Sequence, residues 1–137
     1  MSEMKVLKVP ATDDKLYEVQ DFVNAELEAN DCPMATQMII EVSLEELFVN
    51  ISHYAYPEGN GWAEIHVCVE DGVMELTLID GGIPFDPLAK PDPDVTLLAE
   101  ERQIGGLGIY MVKKKMDAME YQRKDDKNIL TIRKKLA

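Results

Sequence analysis

Residues 34–54 constrain the fold of this chain more than any other stretch. Met38, Ile39, Ile40, Val42, Leu44, Leu47, Phe48, Val49 and Ile51 recur at spacings that cover most of the circumference of a helix. The pattern predicts a helix over about 34–54 that is buried on most of its sides. Polar residues on such a helix need a reason, and it carries Glu41, Glu45, Glu46, Asn50 and His53. Glu46, Asn50 and His53 fall at i, i+4 and i+7, which predicts one polar stripe. A carboxylate and an amide one turn apart can serve one pocket. The carboxylate can take a proton from a hydroxyl or water, and the amide oxygen can hold a hard cation such as Mg²⁺. The spacing alone is common, and a plain exposed polar face is equally compatible with it.

The remaining elements follow from simpler patterns. Residues 4–9 read as a short strand ended by Pro10, and Thr12 is placed to cap a helix with Asp13 and Asp14 in its first turn. Leu16, Val19, Val23 and Leu27 carry that helix to about Ala29, and Pro33 suits the first turn of the next one. Ala63–Glu70 and Val73–Ile79 alternate apolar and polar around Asp71-Gly72, a strong hairpin signal. Residues 84–103 hold Pro84, Pro87, Pro91 and Pro93 and show little periodicity. Ile109, Met111, Val112 and Met116 predict a third helix, and Tyr121–Lys124 and Ile129–Arg133 two last strands around residues 125–128. This order predicts an α+β fold, a two-layer sandwich of a mainly antiparallel sheet with helices on one face. With 137 residues, 46% of them hydrophobic, the chain is expected to form one domain over 1–137 with a core that needs no staples.

Charge narrows the class of function. The net charge is −12, yet residues 111–137 carry nine lysines and arginines against four acidic residues, so the acidic surplus lies in the first 110. An acidic body repels phosphate backbones and argues against direct nucleic-acid binding. No apolar run approaches a membrane span, and Met1-Ser2-Glu3-Met4-Lys5 lacks the layout of an export signal. Cys32 and Cys68 have no metal-ligand spacing and are expected to be reduced thiols in a cytoplasm.

Two further segments can carry chemistry. Asp80-Gly81-Gly82-Ile83-Pro84-Phe85-Asp86 follows directly on a predicted strand. An acidic residue there can accept a hydrogen bond from an exocyclic amine, and the glycines let backbone approach a flat ligand; a tight glycine turn with a solvated Asp fits the same residues. Gly105-Gly106-Leu107-Gly108 opens the third helix, where free N–H groups favour phosphate, although a glycine hinge would look the same. No P-loop motif occurs.

In this order and spacing, the three segments resemble the GHKL (Bergerat-fold) ATP-binding superfamily, and within it the bacterial anti-sigma-factor serine/threonine kinases. The resemblance covers about residues 5–136. Glu46–Asn50, continued by Ile51–Tyr56, is similar to the N box, and Asp80-Gly81-Gly82 with Ile83–Pro87 to the first glycine box. Residues from about 88 to 104 take the place of the ATP lid. Ile104–Ile109 resembles the second glycine box, Met116-Asp117 the Met-Asp after it, and Asn128–Thr131 the closing strand.

The resemblance implies ATP and Mg²⁺ as ligands. It implies Glu46 as general base, Asn50 as the Mg²⁺ ligand and Asp80 as acceptor for the adenine amine, with Gly82 making room beside the base. Gly105, Gly106, Leu107 and Gly108 would lie at the phosphates, Arg102 at the γ-phosphate and Thr131 near adenine. His53 would cap the pocket edge as a structural residue. Many relatives carry Gly-Thr earlier in the closing strand, where this chain has Asn128-Ile129. The implied activity is transfer of a phosphoryl group to a serine of an anti-anti-sigma (STAS-domain) partner, with sequestration of a sigma factor. A nucleotide-dependent binding switch and a stand-alone GHKL ATPase are the alternatives. Such relatives often form homodimers. In the first helix Lys15 is the only basic residue, where some anti-sigma kinases present arginine.

Overall fold

Alternation of side chains along the strands decides which face of the sheet is covered. The computed structural model describes residues 4–88 and 106–137. Within them, β1 (Lys5–Pro10), β2 (Trp62–Glu70), β3 (Val73–Asp80), β4 (Ala118–Lys124) and β5 (Lys127–Lys135) form one sheet in the order β1-β2-β3-β5-β4. Every neighbouring pair is antiparallel. Ala63, Ile65, Val67 and Val69 of β2, Met74, Leu76 and Leu78 of β3 and Ile132 of β5 are buried on the face that the helices cover. Burial of each large aliphatic side chain is worth about 1.5–3 kcal/mol. The opposite face carries Glu64, His66, Glu75, Thr77, Thr131 and Arg133, which the register places at the alternate positions.

The two hairpins are tight. Asp71 and Gly72 both have positive φ (53° and 76°), as do Asp125 and Asp126 (54° and 61°). Those conformations belong to the two-residue turns whose twist matches the flanking strands. The last hairpin is therefore longer than alternation alone predicts: β4 begins at Ala118, and β5 runs from Lys127.

Helix α1 (Leu16–Ala29) buries Val19, Val23 and Leu27, and α2 (Met34–Asn50) buries Ile40, Ser43, Leu44, Leu47 and Phe48 along one face. Helix α3 (Gly106–Lys115) buries Ile109 and Val112. Two local expectations are corrected. A 3₁₀ turn (Asp13–Lys15) precedes α1, and the Thr12 hydroxyl donates to the Asp14 carboxylate instead of capping a helix. The second correction concerns α2, which is not covered on most sides: Met34, Met38 and Val42 are 77%, 59% and 60% exposed. Their i, i+4, i+8 spacing forms a second apolar stripe, which the described residues leave uncovered.

Candidate nucleotide site

The C-terminal end of α2 does not continue as a regular helix. Residues Ile51–Ala55 form a π-turn, whose extra residue per turn rotates everything after Asn50. Tyr54 and Ala55, not His53, consequently follow Asn50 into a cleft against the sheet. His53 instead lies 2.7 Å from Asp13, through Nε2 and Oδ2, and Ser52 donates to the other oxygen of the same carboxylate at 2.7 Å. These two hydrogen bonds hold the Asp13 carboxyl below its ordinary range. The predicted three-residue stripe is thus broken, because the 3.6-residue period on which it rests ends at Asn50. A structural role for His53 survives, at the α2–α1 junction and not at the pocket edge.

The cleft encloses about 470 Å³ of atom-free space, part of it open to solvent. Leu47, Asn50, Ile51, Tyr54 and Ala55 form one wall, Leu78, Asp80, Tyr121, Asn128 and Leu130 the sheet side, and Phe85, Pro87 and Ile109 close it. The apolar lining with a few convergent polar groups is the usual make-up of a small-molecule site.

Asp80 reaches this cleft because it continues the buried series Met74, Leu76, Leu78 at the end of β3. It is 4% exposed. Asn128 donates to its Oδ1 through Nδ2 at 2.9 Å, and the Gly82 N–H donates to the same oxygen at 2.9 Å. Oδ2 has no hydrogen-bond partner among the described residues. Burial pushes the carboxyl above its ordinary value, against the opposing pull of Asn128, Gly82 and the Arg123 guanidinium.

The Asp80-Gly81-Gly82 turn is fixed from two sides. The Tyr56 hydroxyl accepts the Gly81 N–H at 2.7 Å and donates to the Trp62 carbonyl at 2.6 Å. Ile83 N–H donates to the Ala55 carbonyl at 2.9 Å. A Cβ on Gly82 would stand 2.2 Å from that carbonyl oxygen. Gly82 therefore admits the π-turn, which is a closer constraint than room beside a flat ligand.

Asn50 lines the same cleft one turn below Glu46. Its amide makes no hydrogen bond among the described residues, and its Nδ2 is buried without a partner. A buried amide nitrogen left unmatched is costly unless an acceptor such as a phosphate oxygen meets it; the amide oxygen at the other end is the atom whose chemistry suits a hard cation. Glu46 lies in an adjoining groove with Met38, Ile39, Val42, Ser43, Gly108, Met111, Val112 and Lys115. A Cβ on Gly108 would stand 2.1 Å from Glu46 Oε2, so the carboxylate rests against the first turn of α3. Gly106 and Leu107 belong to that turn, whose N–H groups lack helical partners.

Not every expected residue arrives. Thr131 faces the opposite side of the sheet, where its hydroxyl lies 3.1 Å from that of Thr77, because it follows Leu130 in the alternation. Leu130 takes the place beside the cleft. Arg102, Gly105 and nearly all of the expected lid lie outside the described residues. Three contributors escaped the sequence reading: Asn128, Tyr121 and Tyr56. The register that sets Asn128 opposite Asp80 was the only available signal for the first; the reach of the two tyrosines had none.

Among the described residues no helix is long and apolar enough to cross a membrane. The chain is 31% identical over 90 residues to the serine/threonine-protein kinase BtrW of Bordetella bronchiseptica, an alignment over 64% of this chain and 63% of that one. It thus spans less than two-thirds of that relative's length. The fold is similar to the crystal structure of the RsbU and RsbW domains of Rv1364c from Mycobacterium tuberculosis, with a TM-score of 0.64 at 14% identity, covering 96% of this chain and 32% of that one. The family model for the histidine kinase-like ATPase domain matches residues 9–134. With the fold, the cleft and this match in agreement, the chain belongs to the histidine kinase-like ATPase domain family.

Proposed function

We propose that the protein is an ATP-dependent serine/threonine kinase that phosphorylates a serine of an anti-anti-sigma (STAS-domain) partner and so regulates a sigma factor. One observation carries the reading: Asp80 and Asn50 share a cleft, while Glu46, one turn along α2, faces an adjoining groove at the first turn of α3. A site that only binds nucleotide has no use for a carboxylate at that junction.

In this reading Asp80 accepts from the purine amine and the apolar walls hold the ring. The N–H groups of Gly106, Leu107 and Gly108 meet the phosphates at the helix start. The Asn50 amide oxygen would hold Mg²⁺, which when bound neutralises phosphate charge. Glu46 takes the proton of the acceptor hydroxyl as the new P–O bond forms and the bond to the ADP oxygen breaks. The uncovered apolar stripe of Met38 and Val42 leads along the groove to Glu46 and gives a protein acceptor a path to it. Arg102 and a lid over about residues 88–104 would complete the site and exclude water.

The test is incubation with γ-labelled ATP, Mg²⁺ and candidate STAS-domain proteins, with Glu46→Ala as control. Label should move to a serine of one candidate, and the variant should bind ATP yet transfer none. Tight nucleotide binding without transfer by the unaltered protein would replace the kinase reading with that of a binding switch.

A further inference from the structure

Among the described residues, Asn128 is the most heavily hydrogen-bonded side chain in the cleft, and no expectation assigned it a role. It is 5% exposed and sits directly across from Asp80 in the β3–β5 register. Its Oδ1 accepts from the Tyr121 hydroxyl at 2.5 Å, from Arg123 Nη1 at 3.2 Å and from the Phe85 N–H at 3.2 Å. Its Nδ2 donates to Asp80 Oδ1 at 2.9 Å and to the Ile83 carbonyl at 2.8 Å.

These partners leave the amide only one orientation. A guanidinium and a backbone N–H can only donate, so the end they meet must be the oxygen. A backbone carbonyl can only accept, so the other end must be the nitrogen. Turning the amide over would set donor against donor and acceptor against acceptor at four contacts. Asp80 Oδ1 therefore always faces a donor, and the Gly82 N–H supplies a second. Two donors on one oxygen favour the ionised carboxylate, whose oxygens all accept.

We propose that Asn128 is the positioning residue that sets the base preference of the cleft: it commits Asp80 to accepting, so the site takes a purine with an amino group at C6 and rejects one with a carbonyl there. The inference rests on the reading of the cleft as a purine nucleotide site. An adenine amine can donate to Asp80 Oδ2. The C6 carbonyl of guanine would set acceptor against acceptor and leave both unpaired. Arg123 reinforces the arrangement, since Nη1 also donates to the Gly82 carbonyl at 2.9 Å and ties the turn to β4.

Burial works against this commitment by favouring the protonated carboxyl, which could donate to a C6 carbonyl. Among the described residues, the charged or titratable groups that face Asp80 are Arg123 and Tyr121 from β4 and Tyr56 beyond the π-turn; α2 presents Asn50 and apolar side chains. Asn128 is the strongest single influence opposing protonation.

The experiment measures ATP and GTP binding by calorimetry across neutral and mildly acidic pH, for the unaltered chain, Asn128→Asp and Asn128→Ala. Asn128→Asp keeps the shape and the Oδ1 contacts but sets two carboxyls together, which then share a proton. Asn128→Ala removes the donor without adding charge, and thermal melting shows which variant folds. The unaltered chain should prefer ATP throughout. In either folded variant the ATP:GTP affinity ratio should fall about tenfold or more, and GTP binding should strengthen as pH falls. A merely structural role would weaken both nucleotides alike and leave the pH profile unmoved, and that result overturns the proposal. Equal affinity of the unaltered chain for ATP and GTP also overturns it while sparing the nucleotide site. Failure of the unaltered chain to bind either nucleotide overturns the reading of the cleft itself.

Discussion

Gly108 and Glu46 meet so closely that a Cβ on the glycine would stand 2.1 Å from the carboxylate oxygen Oε2. The contact joins the first turn of α3 to the C-terminal part of α2 and fixes where Glu46 can rest. Gly108→Ala makes these two effects separable. Alanine is worth up to about 1 kcal/mol more than glycine inside a helix, and the obstructing atom is the far end of a flexible side chain. Stability in denaturant titration should therefore be unchanged or higher. Glu46 must move aside by ångströms, so phosphoryl transfer should fall about 100-fold. Unchanged transfer would remove Glu46 from the chemistry.

Gly82→Ala should behave in the opposite way. The new methyl group meets the Ala55 carbonyl oxygen at 2.2 Å and the Ala55 Cβ at 2.6 Å, both held by the π-turn. Backbone has to shift, at a cost of about 1–3 kcal/mol or more. The melting temperature should drop by several degrees, and nucleotide affinity should drop with it because the same turn carries Asp80.

Asp80→Asn preserves the turn while reversing the chemistry of the cleft. The new carbonyl oxygen can still accept from Asn128 and Gly82, which leaves an NH₂ where a purine amine would donate. ATP affinity should fall about 10–100-fold by calorimetry. The pH dependence of stability gives a second reading. Burial raises the Asp80 carboxyl in the folded state, so the folded chain binds that proton more readily than the unfolded chain. The contribution of Asp80 to stability is largest below its unfolded value and declines as pH rises through its folded value. The substitution should abolish that decline. The Asp13 carboxyl, lowered by His53 and Ser52, works with the other sign: its contribution is present above the unfolded value and is lost as pH falls through the folded one.

Tyr56→Phe removes one hydroxyl that serves two backbone groups, the Gly81 N–H and the Trp62 carbonyl. Loss of both bonds should destabilise the fold by about 1–3 kcal/mol in urea titration. Nucleotide affinity should weaken as well, since Tyr56 reaches the cleft only through the glycine turn. A purely local effect, with stability lost and affinity kept, would show that the turn is held by Ala55 alone.

The sheet and its helices were legible in the sequence because burial on one face imprints a period on the chain. Leu76 and Leu78 share one face by simple alternation, and Asp80, for which the sequence left a solvated turn open, continues that face into the covered side. Glu46 and Asn50 share one side of α2 by helical spacing. The same arithmetic misled where the period changed or where a covering element was missing. His53 leaves the stripe because the π-turn inserts a residue, and no residue type in Ile51–Ala55 announces that insertion. Met38 and Val42 read as core, since an apolar side chain does not reveal whether anything covers it.

Sequence by itself determined the set of regular elements, the glycine turn after β3 and the pairing of a carboxylate with an amide on one helix, all of which are local consequences of residue type and spacing. Tertiary structure alone decided that Asn128 faces Asp80, that Tyr56 holds the turn from 25 residues away and that Thr131 points to the other side. Such contacts depend on strand register and chain crossing, where a shift of one residue exchanges the two faces of a sheet, and no local pattern records which partner lies across the gap.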